Sequence, residues 1–160
     1  LVFGAVQRPV KFVMYYKIYN NFFLKPLFKS VGAIPIAGKA ENEKVFIEAF
    51  EKINQYLKDG EIVMIFPEGK IASEEVVGEI QEFKGGLMKT LEQVPVPVIP
   101  SALSGLYGSM YSRKHKGFNR YLPKSFFNRK VFYRIDKPIP ANAVVLKDLE
   151  KKVIELRDNQ

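Results

Sequence analysis

Apolar and polar positions divide the chain into short apolar runs and longer amphipathic stretches. Pro9 to Met14 reads as a short strand. Tyr15 to Val31 mixes rings with lysines and reads as a helix interrupted near Pro26, because proline lacks the amide proton that an interior turn needs. Its rings recur at helical spacing, which places them in the core, with bilayer contact as the alternative. Gly32 ends this helix, and Ala33 to Ala37 follows as a short apolar strand.

A clearer helix opens at Asn42 or Glu43, where Phe46, Phe50, Ile53 and Leu57 share one face and Gly60 supplies a stop. Glu61 to Phe66 is β-rich and almost wholly apolar, as expected of a strand covered on both faces. Pro67 to Phe83 reads as a loop, polar over Ser73–Glu82. Gly86 to Glu92 reads as a short helix with Leu87, Met88 and Leu91 inward. Pro97 to Leu103 is expected to be another buried strand, and Val131 to Ile135 a further one. Val145 to Arg157 closes the pattern as an amphipathic helix, with Leu146, Leu149, Val153 and Leu156 on one face. Strands alternating with helices predict an α/β fold with a central, mostly parallel or mixed sheet flanked by helices.

Composition narrows this picture. A chain of 160 residues without repeats or a linker is expected to form one domain over residues 1–160, since domains commonly run about 100–200 residues. With 47% hydrophobic residues it can bury a core. Cysteine is absent, which excludes disulfides, thiolate metal sites and a cysteine nucleophile. Uninterrupted apolar runs fall short of the roughly 18 residues of a spanning helix. The first residue is Leu1, the start is apolar, and no signal-peptide pattern is present. This is the expectation for a piece cut from a longer chain.

Charge adds a direction. The net charge is +8. No Asp or Glu occurs from Gln93 to Ile135, a stretch that holds Arg113, Lys114, Lys116, Arg120, Lys124, Arg129, Lys130 and Arg134. Elsewhere basic and acidic residues balance at 17 each. Rings such as Tyr107, Tyr111, Phe118 and Tyr121 are interleaved with these cations. That mixture suits an anionic membrane surface, a solvated loop with inward rings, or single-stranded nucleic acid.

Two short elements carry candidate chemistry. Phe66-Pro67-Glu68-Gly69-Lys70 follows an apolar strand directly. Pro67 ends the ladder and Gly69 permits a tight turn or a close ligand approach, at the strand edge where α/β folds usually bind ligands. A lysine there can meet a phosphate as a point charge. Phe83-Lys84-Gly85-Gly86 opens the next helix, whose backbone amides suit an anion. Each element alone also fits an ordinary turn with a solvated ion pair.

The ordered set says more. Phe-Pro-Glu-Gly (Phe66–Gly69), Phe-Lys-x-Gly (Phe83–Gly86) and Val-Pro-Val-Ile-Pro (Val96–Pro100) together resemble the glycerol-phosphate and lysophospholipid acyltransferase family. Gly32-Ala33-Ile34-Pro35-Ile36 is similar to that family's second block. Ser112-Arg113 and the basic stretch after it resemble the acyltransferase domain of the bifunctional acylglycerophosphoethanolamine acyltransferase/acyl-carrier-protein synthetase. The resemblance runs from about Arg8 to Pro140. It implies transfer of a fatty acyl group from an acyl thioester of coenzyme A or acyl carrier protein to the hydroxyl of a lysophospholipid or glycerol phosphate.

On this resemblance Phe66, Pro67, Glu68, Gly69 and Lys70 line the acceptor's phosphate site, with Lys84 and Gly85 close by. Lys39 stands near where the second block usually ends in Arg, although a lysine lacks the bidentate fork of an arginine. Arg113, Lys114, Lys116 and Arg120 are expected at the membrane or the acyl donor. No metal and no cofactor beyond the thioester co-substrate is implied. The expected partners are membrane phospholipid or lysophospholipid and acyl carrier protein, not nucleic acid, and related domains are fused to further segments. The expected location is peripheral, on the cytoplasmic face of a membrane.

Family members begin with His-x-x-x-x-Asp, whose histidine takes the proton of the acceptor hydroxyl. The sole histidine here is His115, and the residue five places on is Arg120. The neighbouring cations lower its basicity. The expectation is that the catalytic block precedes Leu1 in the native protein and that residues 1–160 alone are inactive. A non-catalytic lipid-binding module of the same fold is the second reading, and a basic nucleic-acid-binding domain the third.

Overall fold

The computed structural model describes residues 8–69, 80–105 and 131–158. The chain gathers into two compact units, one of Leu1–Gly69 with Lys84–Val96 and one of Lys70–Phe83 with Pro97–Gln160.

The first unit is an α/β arrangement around three parallel strands, β1 (Val10–Tyr15), β2 (Ile34–Ile36) and β3 (Ile62–Met64), in the order β2-β1-β3. Val13 pairs with Ile34 and Tyr15 with Ile36 on one side, and Val10 with Ile62 and Phe12 with Met64 on the other. Parallel neighbours require crossover connections, and helices supply them. Between β1 and β2 lie α1 (Tyr16–Tyr19) and α2 (Lys25–Ser30). The break expected at Pro26 falls instead over residues 20–24. Pro26 occupies the first turn of α2, where its missing N–H has no intrahelical partner to lose. Neither α1 nor α2 buries a residue. Phe22 and Phe23 are each 86% exposed, which corrects the placement of these rings in the core.

Between β2 and β3 runs α3 (Glu43–Lys58). The Asn42 side chain caps it by accepting a hydrogen bond from the Val45 N–H at 3.1 Å. Ala49, Phe50 and Ile53 are buried along its inner face. Ile53, Ala49, Val13 and Ile34 form the core, wrapped by Ile36, Tyr56, Leu57, Val63 and Ile65. At its end the Gly60 N–H donates to the Leu57 carbonyl and the Glu61 N–H to the Tyr56 carbonyl, with Gly60 at φ +76°. This is the double closure that favours glycine after a helix.

The strand expected over Glu61–Phe66 is shorter than its apolar composition suggests. β3 ends at Met64 and is half-buried, because it lies at one side of the described sheet. Phe66 is exposed beyond it. Apolar content alone does not distinguish a strand covered on both faces from one at the margin.

Helix α4 (Gly86–Gln93) packs on α3. Its inward residues are Thr90 and Leu91, with Leu87 and Met88 half-buried. The Thr90 hydroxyl donates to the Gly86 carbonyl at 3.2 Å, which satisfies it despite burial. The Asn54 amide of α3 donates to the Gln93 side chain of α4. The two helices meet closely at Gly86, where a Cβ would come within 3.3 Å of Phe50 Cζ.

In the second unit β4 (Ser101–Ser104) pairs antiparallel with β5 (Phe132–Ile135), from Ser101 opposite Ile135 to Ser104 opposite Phe132. A further bridge joins Val98 to Ile139. The strand expected over Pro97–Leu103 is therefore shorter. It alternates rather than being wholly buried, with Pro100 and Ala102 inside and Ile99 exposed. Helix α5 (Leu146–Asp158) packs on this pair through Leu149. Lys152 meets Asp136 at 2.9 Å, and the Phe83 N–H donates to Glu150 at 2.8 Å. Among the described residues no helix is long and apolar enough to cross a membrane.

Candidate functional site

Parallel strands present all their C-terminal ends at one sheet edge, the usual place for ligands in such folds. The register fixes what gathers there in the first unit. Tyr15 is level with Ile36. Carrying the Phe12–Met64 pairing forward brings Pro67 to the same level. Three loops therefore leave the edge together: the start of α1 after β1, Ala37–Asn42 after β2, and Pro67–Gly69 after β3.

The third loop is held by backbone. The Gly69 N–H donates to the Phe66 carbonyl at 3.3 Å and closes the turn. The Lys84 N–H donates to the Pro67 carbonyl at 2.8 Å. Gly69 adopts φ +66°, and a Cβ on it would lie 3.4 Å from Lys84 Cγ. A positive φ is strained for residues with a side chain. Pro67, Glu68, Gly69 and Lys84 thus converge although Gly69 and Lys84 are well separated in sequence. Gly85 follows as the residue before α4, exposed, and a Cβ there would meet nothing within 4 Å. It is exposed at the mouth of the helix, where its carbonyl accepts from the Lys89 N–H at 3.1 Å.

The second loop is held by side chains. The Glu41 N–H and the Asn42 N–H both donate to the Gly38 carbonyl at 3.0 Å. Glu41 Oε1 then accepts from the Tyr15 hydroxyl at 2.5 Å and the Tyr16 hydroxyl at 3.4 Å, and meets Lys17 Nζ at 2.8 Å. Lys17 Nζ also lies 5.7 Å from the centres of the Tyr15 and Tyr16 rings. Hydrogen bonding from Lys17, then from Tyr15, holds the Glu41 carboxyl below the usual carboxylate range. The same carboxylate pushes the Tyr15 phenol and the Lys17 ammonium up.

The residues expected from sequence separate accordingly. Phe66, Pro67, Glu68, Gly69, Lys84 and Gly85 fall together at this edge. Phe66 is exposed and Glu68 half-buried. Lys39 leaves the same edge from β2, two strands and so about 10 Å away, and pairs with Glu43 at 3.7 Å. Lys70, Arg113, Lys114, His115, Lys116 and Arg120 lie outside the described residues. The Val96–Pro100 block passes from the first unit into the second, where the Asp136 N–H donates to the Pro100 carbonyl at 2.9 Å. Among the described residues no cluster of His, Cys, Asp and Glu could hold a metal ion.

The Tyr15–Lys17–Glu41 cluster is not legible in the motifs. One signal for it exists: Glu41 is the first acidic residue of the chain, after forty residues that carry only positive charge.

Residues 1–104 match the model of the acyltransferase family. A probable 1-acyl-sn-glycerol-3-phosphate acyltransferase of Mycoplasma genitalium is 27% identical over 155 residues, which is 94% of this chain and 55% of that protein. The protein of the same name from Mycoplasma pneumoniae is 26% identical over 114 residues, 70% of this chain and 41% of its own length. The chain thus spans about half the length of the curated relatives it matches. Among solved structures, the 1-acyl-sn-glycerophosphate acyltransferase PlsC of Thermotoga maritima superposes with a TM-score of 0.61 at 17% identity, over 92% of this chain and 54% of that one. This likeness supports the α/β fold.

Proposed function

Since the chain belongs to the acyltransferase family, we propose that it forms the acceptor side of an enzyme that acylates a lysophospholipid or glycerol phosphate. The observation that carries this reading is the junction of Pro67–Gly69 with Lys84. Two blocks of the ordered signature are tied by one backbone hydrogen bond at the ligand-binding edge of a parallel sheet. Gly69 lets backbone approach a ligand closely. Lys84 brings a cation to the same place, and Gly85 leaves amides open in front of α4. A phosphate monoester or diester matches that chemistry.

In the reaction, the acceptor hydroxyl oxygen attacks the carbonyl of an acyl thioester. The new C–O bond forms as the C–S bond breaks, and the hydroxyl proton ends on the departing sulfur as a thiol. A general base takes that proton in transit. The resemblance gives this role to the histidine of a His-x-x-x-x-Asp block, a pattern that His115 with Arg120 does not supply. The residues of this chain bind and orient the phosphate, and so set the hydroxyl against the thioester. We assign the acyl donor to coenzyme A or acyl carrier protein, with no further cofactor, and the working place to the cytoplasmic face of a membrane.

The test is acyl transfer by the complete reading frame that carries this chain, with lysophosphatidate and either donor. Transfer is expected, and residues 1–160 alone are expected to give none. In the complete protein, Lys84→Gln is expected to raise the acceptor KM about tenfold or more, the scale of one hydrogen bond to a charged group, while the donor KM stays level. A complete protein that carries His-x-x-x-x-Asp and transfers nothing defeats the reading. Equal effects of Lys84→Gln on both substrates would remove Lys84 from the acceptor site.

A further inference from the structure

The connection between β1 and β2 carries a feature that acyl transfer does not explain. Ile18, Phe22, Phe23, Leu24 and Leu27 are all exposed, Phe22 and Phe23 at 86% each. The two phenylalanine rings meet edge to face at 5.5 Å. They pack against each other rather than into the protein. The loop is nevertheless built: the Leu24 and Lys25 N–H groups donate to the Asn21 carbonyl at 3.1 and 2.9 Å, and the Phe23 N–H to the Asn21 side chain at 3.2 Å. The backbone thus holds two large rings out into solvent. Single exposed apolar residues are ordinary, but an adjoining set of this kind marks an interaction surface.

Charge indicates the occupant. From Leu1 through Ala40 the chain has no Asp or Glu, while Arg8, Lys11, Lys17, Lys25, Lys29 and Lys39 are all basic. Lys25 and Lys29 lie on α2, which follows the rings in the chain, and neither makes an ion pair among the described residues. Rings flanked by unpaired lysines complement an interface whose interior is apolar and whose surface is anionic. A second protein chain would supply the apolar part but needs acidic groups placed against Lys25 and Lys29. A bilayer containing acidic lipid supplies both without any special placement.

We propose that the loop over residues 20–24, with α2, is a docking surface for an anionic bilayer. Phe22 and Phe23 enter the interface, and Lys25 and Lys29 meet lipid phosphates. The loop follows the C-terminal end of β1 after a single helical turn, so it leaves the same sheet edge as Pro67–Gly69. Docking there sets that edge toward the membrane.

The test needs no turnover and is independent of the acyl-transfer reading. The chain contains no tryptophan, so Phe23→Trp introduces a single indole reporter, and Ile47→Trp on the exposed face of α3 serves as its control. Vesicles of phosphatidylcholine, with and without phosphatidylglycerol, are titrated in, some with brominated acyl chains. The expected result is a blue shift and bromine quenching for Phe23→Trp on anionic vesicles, weakened by salt, and no change for Ile47→Trp. Removing both rings, as Phe22→Ser with Phe23→Ser, is expected to weaken vesicle binding about tenfold or more. Lys25→Gln and Lys29→Gln should each weaken it about fivefold, on anionic vesicles only. Circular dichroism checks that the variants fold, as expected for such exposed positions. Indole emission of the Phe23→Trp variant that vesicles leave unmoved overturns the proposal. So does a blue shift that grows with protein concentration in the absence of lipid, which would make the occupant a second copy of the chain.

Discussion

The two loops that flank β1 at the sheet edge are secured by different means. Pro67–Gly69 is tied to Lys84 through main-chain groups, with a left-handed glycine closing the turn. Ala37–Asn42 is tied to the end of β1 through one carboxylate shared by two phenols and an ammonium. The first tie carries no net charge and is the same at any pH the fold survives. The second depends on the ionisation of Glu41 and weakens with salt. One edge therefore holds one loop by main-chain bonds without a titratable group and the other by ionised side chains.

The strongest test of this contrast strikes what both halves share. Ile53, 1% exposed, lies under β1 and β2. Ile53→Ala is expected to cost about 2–5 kcal/mol, as cavities in such cores do, measured as a fall in the urea midpoint. A cost below about 1 kcal/mol, under the usual range for such truncations, would mean that the halves stand on separate supports. Next is the backbone half. Gly69→Ala forces a side chain into φ +66° and is expected to cost about 1–2 kcal/mol, whereas Gly69→Asn should cost less. Thermal unfolding at low and high salt should give the same difference for both variants. An equal penalty for Ala and Asn would point to the Lys84 contact rather than the backbone angle.

Asn42→Ala removes the cap of α3 next to Glu41 and is expected to cost about 1 kcal/mol by urea unfolding. The smallest effect is Glu41→Gln. The folded carboxyl is more acidic than its ordinary value of 4.5. Its contribution is complete above that value and disappears as pH falls through the lowered folded one. Melting temperatures of the wild type and Glu41→Gln should therefore differ at neutral pH and converge in acid, with the neutral gap narrowing in salt. A gap that persists in acid would show that the amide at this position perturbs packing instead of charge.

The sequence discloses these two halves unequally. The family resemblance drawn from the ordered blocks agrees with the family match, because Phe66–Gly69 and Phe83–Gly86 are compact local patterns. The helix from Glu43 and its Asn42 cap are legible for the same reason: period and cap are short-range signals. Glu41 with Lys17 is not, since nothing local joins residues separated by a strand crossover. Composition overextends β3 because apolar content is silent on whether a strand has neighbours on both sides. It misleads over Tyr15 to Val31 as well, where helical spacing of rings does not mean burial. Neither short helix has a fully buried residue, and the lack of any acid before Glu41 is the better clue.

The close approach of Gly86 to Phe50 reaches further than its place in the packing suggests. The edge of the phenyl ring lies against the first turn of α4, two residues after Lys84 joins Pro67. A side chain at Gly86 would meet that ring within 3.3 Å, so either the ring or the start of the helix has to give way. The packing of an aromatic residue on α3 thus bears on the helix that carries one half of the proposed phosphate site.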